Sequence, residues 1–146
     1  MENERSLIKK HFQDLLTQLT DAYYFYSRSS AWTDLEEVTF AFLGCANVCR
    51  KISIEIVASL KQIDPDAKFD TDGSLVNGLQ MGWTDIKISL GIETRGDLIR
   101  MGHQRLEKLQ HQLTMLEELH SNENERQYIA GLNQLLSQQE RNLRNL

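Results

Sequence analysis

The sequence holds one proline, Pro65, among 146 residues, and only eight glycines. An interior proline removes a helix hydrogen bond and clashes with the turn before it, so its near absence leaves room for long helices. No run of apolar residues reaches the ~18 needed to cross a bilayer as a helix. The first ten residues, MENERSLIKK, lack the apolar stretch of a secretory leader. Only two cysteines are present, Cys45 and Cys49, too few for a disulfide-built scaffold. We therefore expect a cytoplasmic protein, in a compartment where thiols stay reduced. Positive charge is also short: 16 basic residues stand against 21 acidic ones, a net charge of −5. That balance builds no field for a phosphate backbone, and nucleic-acid binding is not expected. The run GSLVNG is not followed by the Lys-Ser/Thr of a phosphate-binding loop, and no stretch has the spacing of a nucleophile elbow. No segment alternates apolar and polar residues at period two, which argues against a sheet.

What the sequence has instead is helical periodicity. Ile8, Phe12, Leu15, Leu19, Ala22 and Tyr26 follow one another at alternating steps of four and three, on one face of a helix over roughly 3–27. Leu35, Val38, Phe42, Cys45, Cys49, Ile52 and Ile56 predict a second helix over 34–63, with Thr33 and Glu36 spaced as a capping box. Pro65 and the polar run DPDAKFDTDGS end it. Leu75, Leu79, Trp83, Ile86 and Leu90 predict a shorter helix over 74–90. After the break GIETRG, Ile99, Leu106, Leu109, Leu113 and Leu116 predict another over 97–120. Asn122 and Glu125 are spaced as a second capping box before a last helix over 123–146, whose stripe is Ile129, Leu132, Leu136, Leu143 and Leu146. Gln139 is the polar residue inside that stripe. Four long amphipathic helices predict an all-α, antiparallel four-helix bundle, a single domain covering 1–146. The shorter helix stands where a crossover between the second and third main helices would lie.

The run GSLVNGLQMGWTDIKISLGIETRGDLIRMGHQRLEKL (73–109) resembles the middle of a bacterial ferritin-like family of unknown function. Gly73, Gly78, Trp83, Asp85, Ile86, Lys87 and Arg95 carry the resemblance. ANVCRKISIEI (46–56) resembles the family's second helix, including Ala46 and Glu55, and LLSQQERNLRNL (135–146) resembles its C-terminus. The resemblance implies a ferritin-like four-helix bundle with a crossover helix, and it implies no particular activity. The chain departs from the family pattern at three places. His103 stands where the family tends to carry a glutamate, Glu140 where it tends to carry a histidine, and Tyr24 near a position that is often acidic.

A di-iron centre in such a bundle needs inward carboxylates from two helices and a Glu-x-x-His pair from each of the other two. One such pair is present, Glu117–His120, at a helix end, and the first stripe carries no acid. Glu55, His103, Glu107 and Glu140 flank the apolar seams and are the candidate ligands for iron, manganese or zinc, although they do not make the di-iron pattern. Cys45 and Cys49 occupy stripe positions and read as core. A zinc site there would need His103 or Glu107 to complete it, and a redox pair would lack the Cys-x-x-Cys spacing. His103, Glu107 and His111 share one helix face and read as a solvated strip. His11 and His120 have no convergent partners in the sequence and read as surface residues.

The run YYFY (23–26), with Trp32, cannot be buried by a single helix face. It either meets a partner protein or packs under the crossover helix with Trp83. Ile54 and Val57 lie off the main stripe of the second helix and point to a second buried face. The expected function is a non-enzymatic structural or interaction role in a homo-oligomer, with no membrane partner. The alternative is a metal-binding protein with a degenerate ferritin-like site.

Overall fold

A computed structural model of the chain describes residues 2–30, 36–68 and 94–146. Among the described residues there are four α-helices and no strand: α1 (Glu2–Ser30), α2 (Glu36–Ile63), α3 (Arg95–Leu119) and α4 (Glu123–Arg144). The expected helix over 74–90 lies outside the described residues. So do Gly73, Gly78, Trp83, Asp85, Ile86 and Lys87 of the resemblance, together with Trp32, Thr33 and Leu35.

The apolar stripes become the core. All six members of the first are buried, and Leu16 and Phe25 widen it. Val38, Phe42, Cys45, Cys49, Ile52 and Ile56 of α2 are each fully buried, and Leu60 extends the stripe by one turn. In α3 Leu98 is buried whereas Ile99 is only partly so. That helix starts two residues before the point its apolar spacing suggests, because Thr94 caps it. The Thr94 hydroxyl accepts from the Asp97 amide, and the Asp97 carboxylate accepts from the Thr94 amide, each at 3.1 Å. The two bonds satisfy amides that the first turn would otherwise leave open. At α4 one half of the expected capping box forms: the Asn122 side chain accepts from the Glu125 amide at 3.1 Å.

Side-chain pairs fix how the helices run. Lys9 Nζ lies 2.6 Å from Asp64 at one end of α1 and α2, and Thr39 donates to the Ser30 carbonyl at the other. Phe12 meets His120, and Tyr26 meets Gly102, so α1 and α3 are antiparallel. Gln110 donates to Ser137 across α3 and α4 at 2.9 Å. Glu55 meets Tyr128 and Gly44 faces Gln139, which makes α2 and α4 antiparallel. Each helix therefore has two antiparallel neighbours, while α2 and α3 run in the same direction. Ile63 and Arg95 consequently lie at opposite ends of the bundle.

Three aromatic rings pack around Gly102. The rings of Phe25, Tyr26 and Phe42 meet one another at 5.3–5.9 Å between centroids. The Tyr26 hydroxyl donates to the Gly102 carbonyl at 2.6 Å. A Cβ at residue 102 would stand 3.1 Å from Phe42 Cζ, tight enough to push on that ring, so the glycine suits the close approach here.

Candidate functional site

The bundle brings two of the four candidate metal ligands together and places Glu55 apart from them. His103 and Glu140 meet in the groove between α3 and α4, with Nδ1 3.8 Å from Oε1. The same Glu140 oxygen takes a 2.5 Å bond from Arg144, one turn along α4. Glu55 belongs to α2 and receives the hydroxyl hydrogen of Tyr128. Tyr128 precedes Glu140 on α4 by twelve positions, roughly 18 Å of helix. Glu107 is exposed, as is His111. Among the described residues no three His, Cys, Asp or Glu side chains converge where a metal ion could be held.

Cys45 and Cys49 are free and buried, on the inward face of α2. Burial pushes the Cys45 thiol up to about 12 and raises Cys49 further. A nucleophilic or ligating sulfur needs the thiolate, and this environment disfavours it. Arg105 reaches the same region from α3. Its guanidinium lies 4.4 Å from the Phe25 ring centroid, a cation–π contact. Burial lowers its pKa, opposed by the facing Tyr26 and Asp21.

His120 differs from the sequence expectation. It is 7% exposed rather than a surface residue. Its ring packs edge-on against Phe12, 5.8 Å between centroids, and Nδ1 lies 2.7 Å from the Leu116 carbonyl oxygen. That oxygen can only accept, so Nδ1 carries the ring hydrogen. Nε2 then faces Glu125 Oε2 at 3.5 Å. The sequence signal for its burial is the α3 stripe, which His120 continues by a step of four from Leu116; the contact with Phe12, from the far end of the chain, has no local signal.

His120, Glu125, Glu55 and Tyr128 line one cleft at the end of the bundle formed by the start of α1, the end of α2 and the start of α4, with Arg5, Ile8, Phe12 and Ile129 among its walls. Its volume is about 680 Å³. Partial desolvation and the hydrogen bond to Glu55 push the Tyr128 hydroxyl up to about 12. The hydroxyl therefore stays protonated and donates to Glu55 throughout the physiological range.

A second surface feature lies on the opposite side of α2 from Glu55. Leu16, Tyr23 and Tyr24 of α1 and Arg50, Ile54 and Val57 of α2 line a groove of about 540 Å³. The YYFY run divides across it. Phe25 and Tyr26 enter the core, while Tyr23 and Tyr24 stay half-buried at the groove, edge-on at 5.4 Å. Phe40 and Ile54, on the outward face of α2, are 66% and 62% exposed. Among the described residues no helix is long and apolar enough to cross a membrane.

Comparison of the chain with protein-family models, with curated proteins and with solved structures gave no match.

Proposed function

We propose that the protein is a non-enzymatic interaction module that works as a homo-oligomer. The observation that carries this reading is the pair of faces on α2. One face is fully buried in the core, and the other exposes Phe40, Leu43 and Ile54 beside a groove lined by two tyrosines. Exposed large apolar side chains on an outward helix face, here Phe40 and Leu43 at one level and Ile54 eleven residues on, support a binding surface, and aromatic side chains are enriched where such surfaces meet a partner. Light-scattering mass across a wide concentration range tests it. A mass above that of one chain is expected, and a single-chain mass at every concentration would contradict it.

The scaffold is, in our reading, ferritin-like. Support comes from the helix directions, with α2 and α3 running the same way and Ile63 and Arg95 at opposite ends. A bundle with a lengthwise crossover between its second and third main helices requires that arrangement.

A second reading, metal binding, is favoured by one contact, that of His103 with Glu140. Arg144 competes for the same carboxylate. Elemental analysis of untagged protein separates the two readings. Iron, manganese or zinc that is lost in His103→Ala and Glu140→Ala supports the metal role.

A further inference from the structure

The outer face of α2 holds the pattern of its own partner, an inference that rests on the interaction reading above. Phe40, Leu43, Asn47, Arg50, Ile54 and Val57 recur at alternating steps of three and four. They form a second heptad seam, on the side away from the core, of a helix whose first seam is already occupied. Phe40, Leu43 and Ile54 are exposed apolar members. Asn47 and Arg50 are exposed, and Val57 is half-buried at the groove. We propose that this seam is the interface of a homodimer, in which α2 packs antiparallel on α2 of a second copy. The two-fold axis passes at the level of Val48 and Cys49.

The seam specifies that register. It sets Phe40 against Val57 of the partner subunit, Leu43 against the partner's Ile54, and Asn47 against the partner's Arg50. The symmetry returns the same three contacts. Every apolar member meets an apolar one. The two polar members meet each other, and the Asn47 side-chain carbonyl can accept from the guanidinium. Other arrangements fail on the same residues. A parallel pair would set Arg50 directly against its own copy, where like charges are costly, whereas the two-fold offsets the two guanidiniums by about 4.5 Å of helix rise and sets an Asn47 opposite each. A slip of one heptad would set Asn47 against Val57 and Arg50 against Ile54, burying polar groups against apolar ones. One polar layer inside an apolar seam is a known means of fixing register.

The groove receives what the seam projects. Phe40 of one copy arrives at Val57 of the other, where Tyr23, Tyr24 and Leu16 form the walls. From Phe40 to Val57 the seam is roughly 26 Å long. With the flank of α1 it is about 20 Å wide, which gives roughly 1,000 Å² of surface covered in total, at the lower limit of specific interfaces. The dimer is therefore reversible on dilution.

Two variants and one cross-link test the proposal. Phe40→Asp and Ile54→Asp are expected to keep the helical circular dichroism and to fall from twice the mass of one chain to the mass of one chain. In the cross-link, chains carrying only Leu43→Cys are mixed with chains carrying only Ile54→Cys. The mixture is expected to form a disulfide-linked dimer, and neither chain alone is expected to do so, because the buried native thiols stay unreactive. An oligomeric wild type whose mass is unchanged by both aspartates would overturn this interface and leave the interaction reading standing. A wild type that stays a single chain would overturn both. Loss of thermal stability in Phe40→Asp without any change of mass would place the face against the chain itself, and self-linking of Leu43→Cys alone would overturn the antiparallel register.

Discussion

Cys45 and Cys49 owe their character to burial and not to any partner chemistry. The ordinary thiol value is 9.0, and the folded chain holds the Cys45 proton to about 12, with Cys49 higher still. In the unfolded chain both protons leave from about pH 9, while the folded chain keeps them. The unfolded state then binds fewer protons, so stability is full below about pH 9 and falls as pH rises towards 12. Urea midpoints taken through this range should show the decline, and a Cys45→Ala/Cys49→Ala variant should show a shallower one from a lower starting point. A thiol reagent at about pH 8 should leave both cysteines unlabelled in the folded protein and label both in denaturant. The inward positions of these two residues were legible, because each falls on the step of the stripe. The burial of His120 was legible too and was passed over: it continues the stripe of Leu106, Leu109, Leu113 and Leu116 by one step of four. Its contact with Phe12 was not, because that ring reaches it from another helix.

At the level of elements, the account depends on how closely α1, α2 and α3 approach near Gly102. Adding a methyl group there gains up to about 1 kcal/mol of helix propensity. It also brings a Cβ to 3.1 Å from a Phe42 ring held by Phe25 and Tyr26. Overpacking of this sort costs about 1–3 kcal/mol, so Gly102→Ala should lower stability in denaturant titration. Tyr26→Phe should cost about 1 kcal/mol through the lost bond to the Gly102 carbonyl. Gln139 is the converse case. The sequence marks it as a polar residue in an apolar stripe, and its Oε1 is buried without a hydrogen-bond partner, close to Gly44. Gln139→Met keeps the length and removes the stranded oxygen, and it should raise the unfolding midpoint by the equivalent of about 1 kcal/mol. The four long helices were readable from their periodicity. The start of α3 was read two residues late, since the Thr94–Asp97 box precedes a Gly-containing first turn with no apolar marker.

For the whole molecule, helix number and length predicted a bundle, because long amphipathic stripes can bury their faces only against one another. The candidate ligands were harder to place. Glu55, His103, Glu107 and Glu140 all flank seams, but flanking fixes only the side of a helix and leaves the level along the bundle open. The levels place Glu55 with Tyr128 and His103 with Glu140. The second seam of α2 was visible only in part, through Ile54 and Val57, and its full extent needed the exposure of Phe40 and Leu43.

Small-angle X-ray scattering on a concentration series tests the central claim most directly, since it reports mass and shape together. The proposed axis lies near the middle of α2, so two bundles should associate side by side. The mass should double on concentration while the longest dimension stays close to that of one bundle, roughly 45 Å for its longest helix. A mass that never rises above one chain, or a doubled mass with a doubled longest dimension, would contradict it.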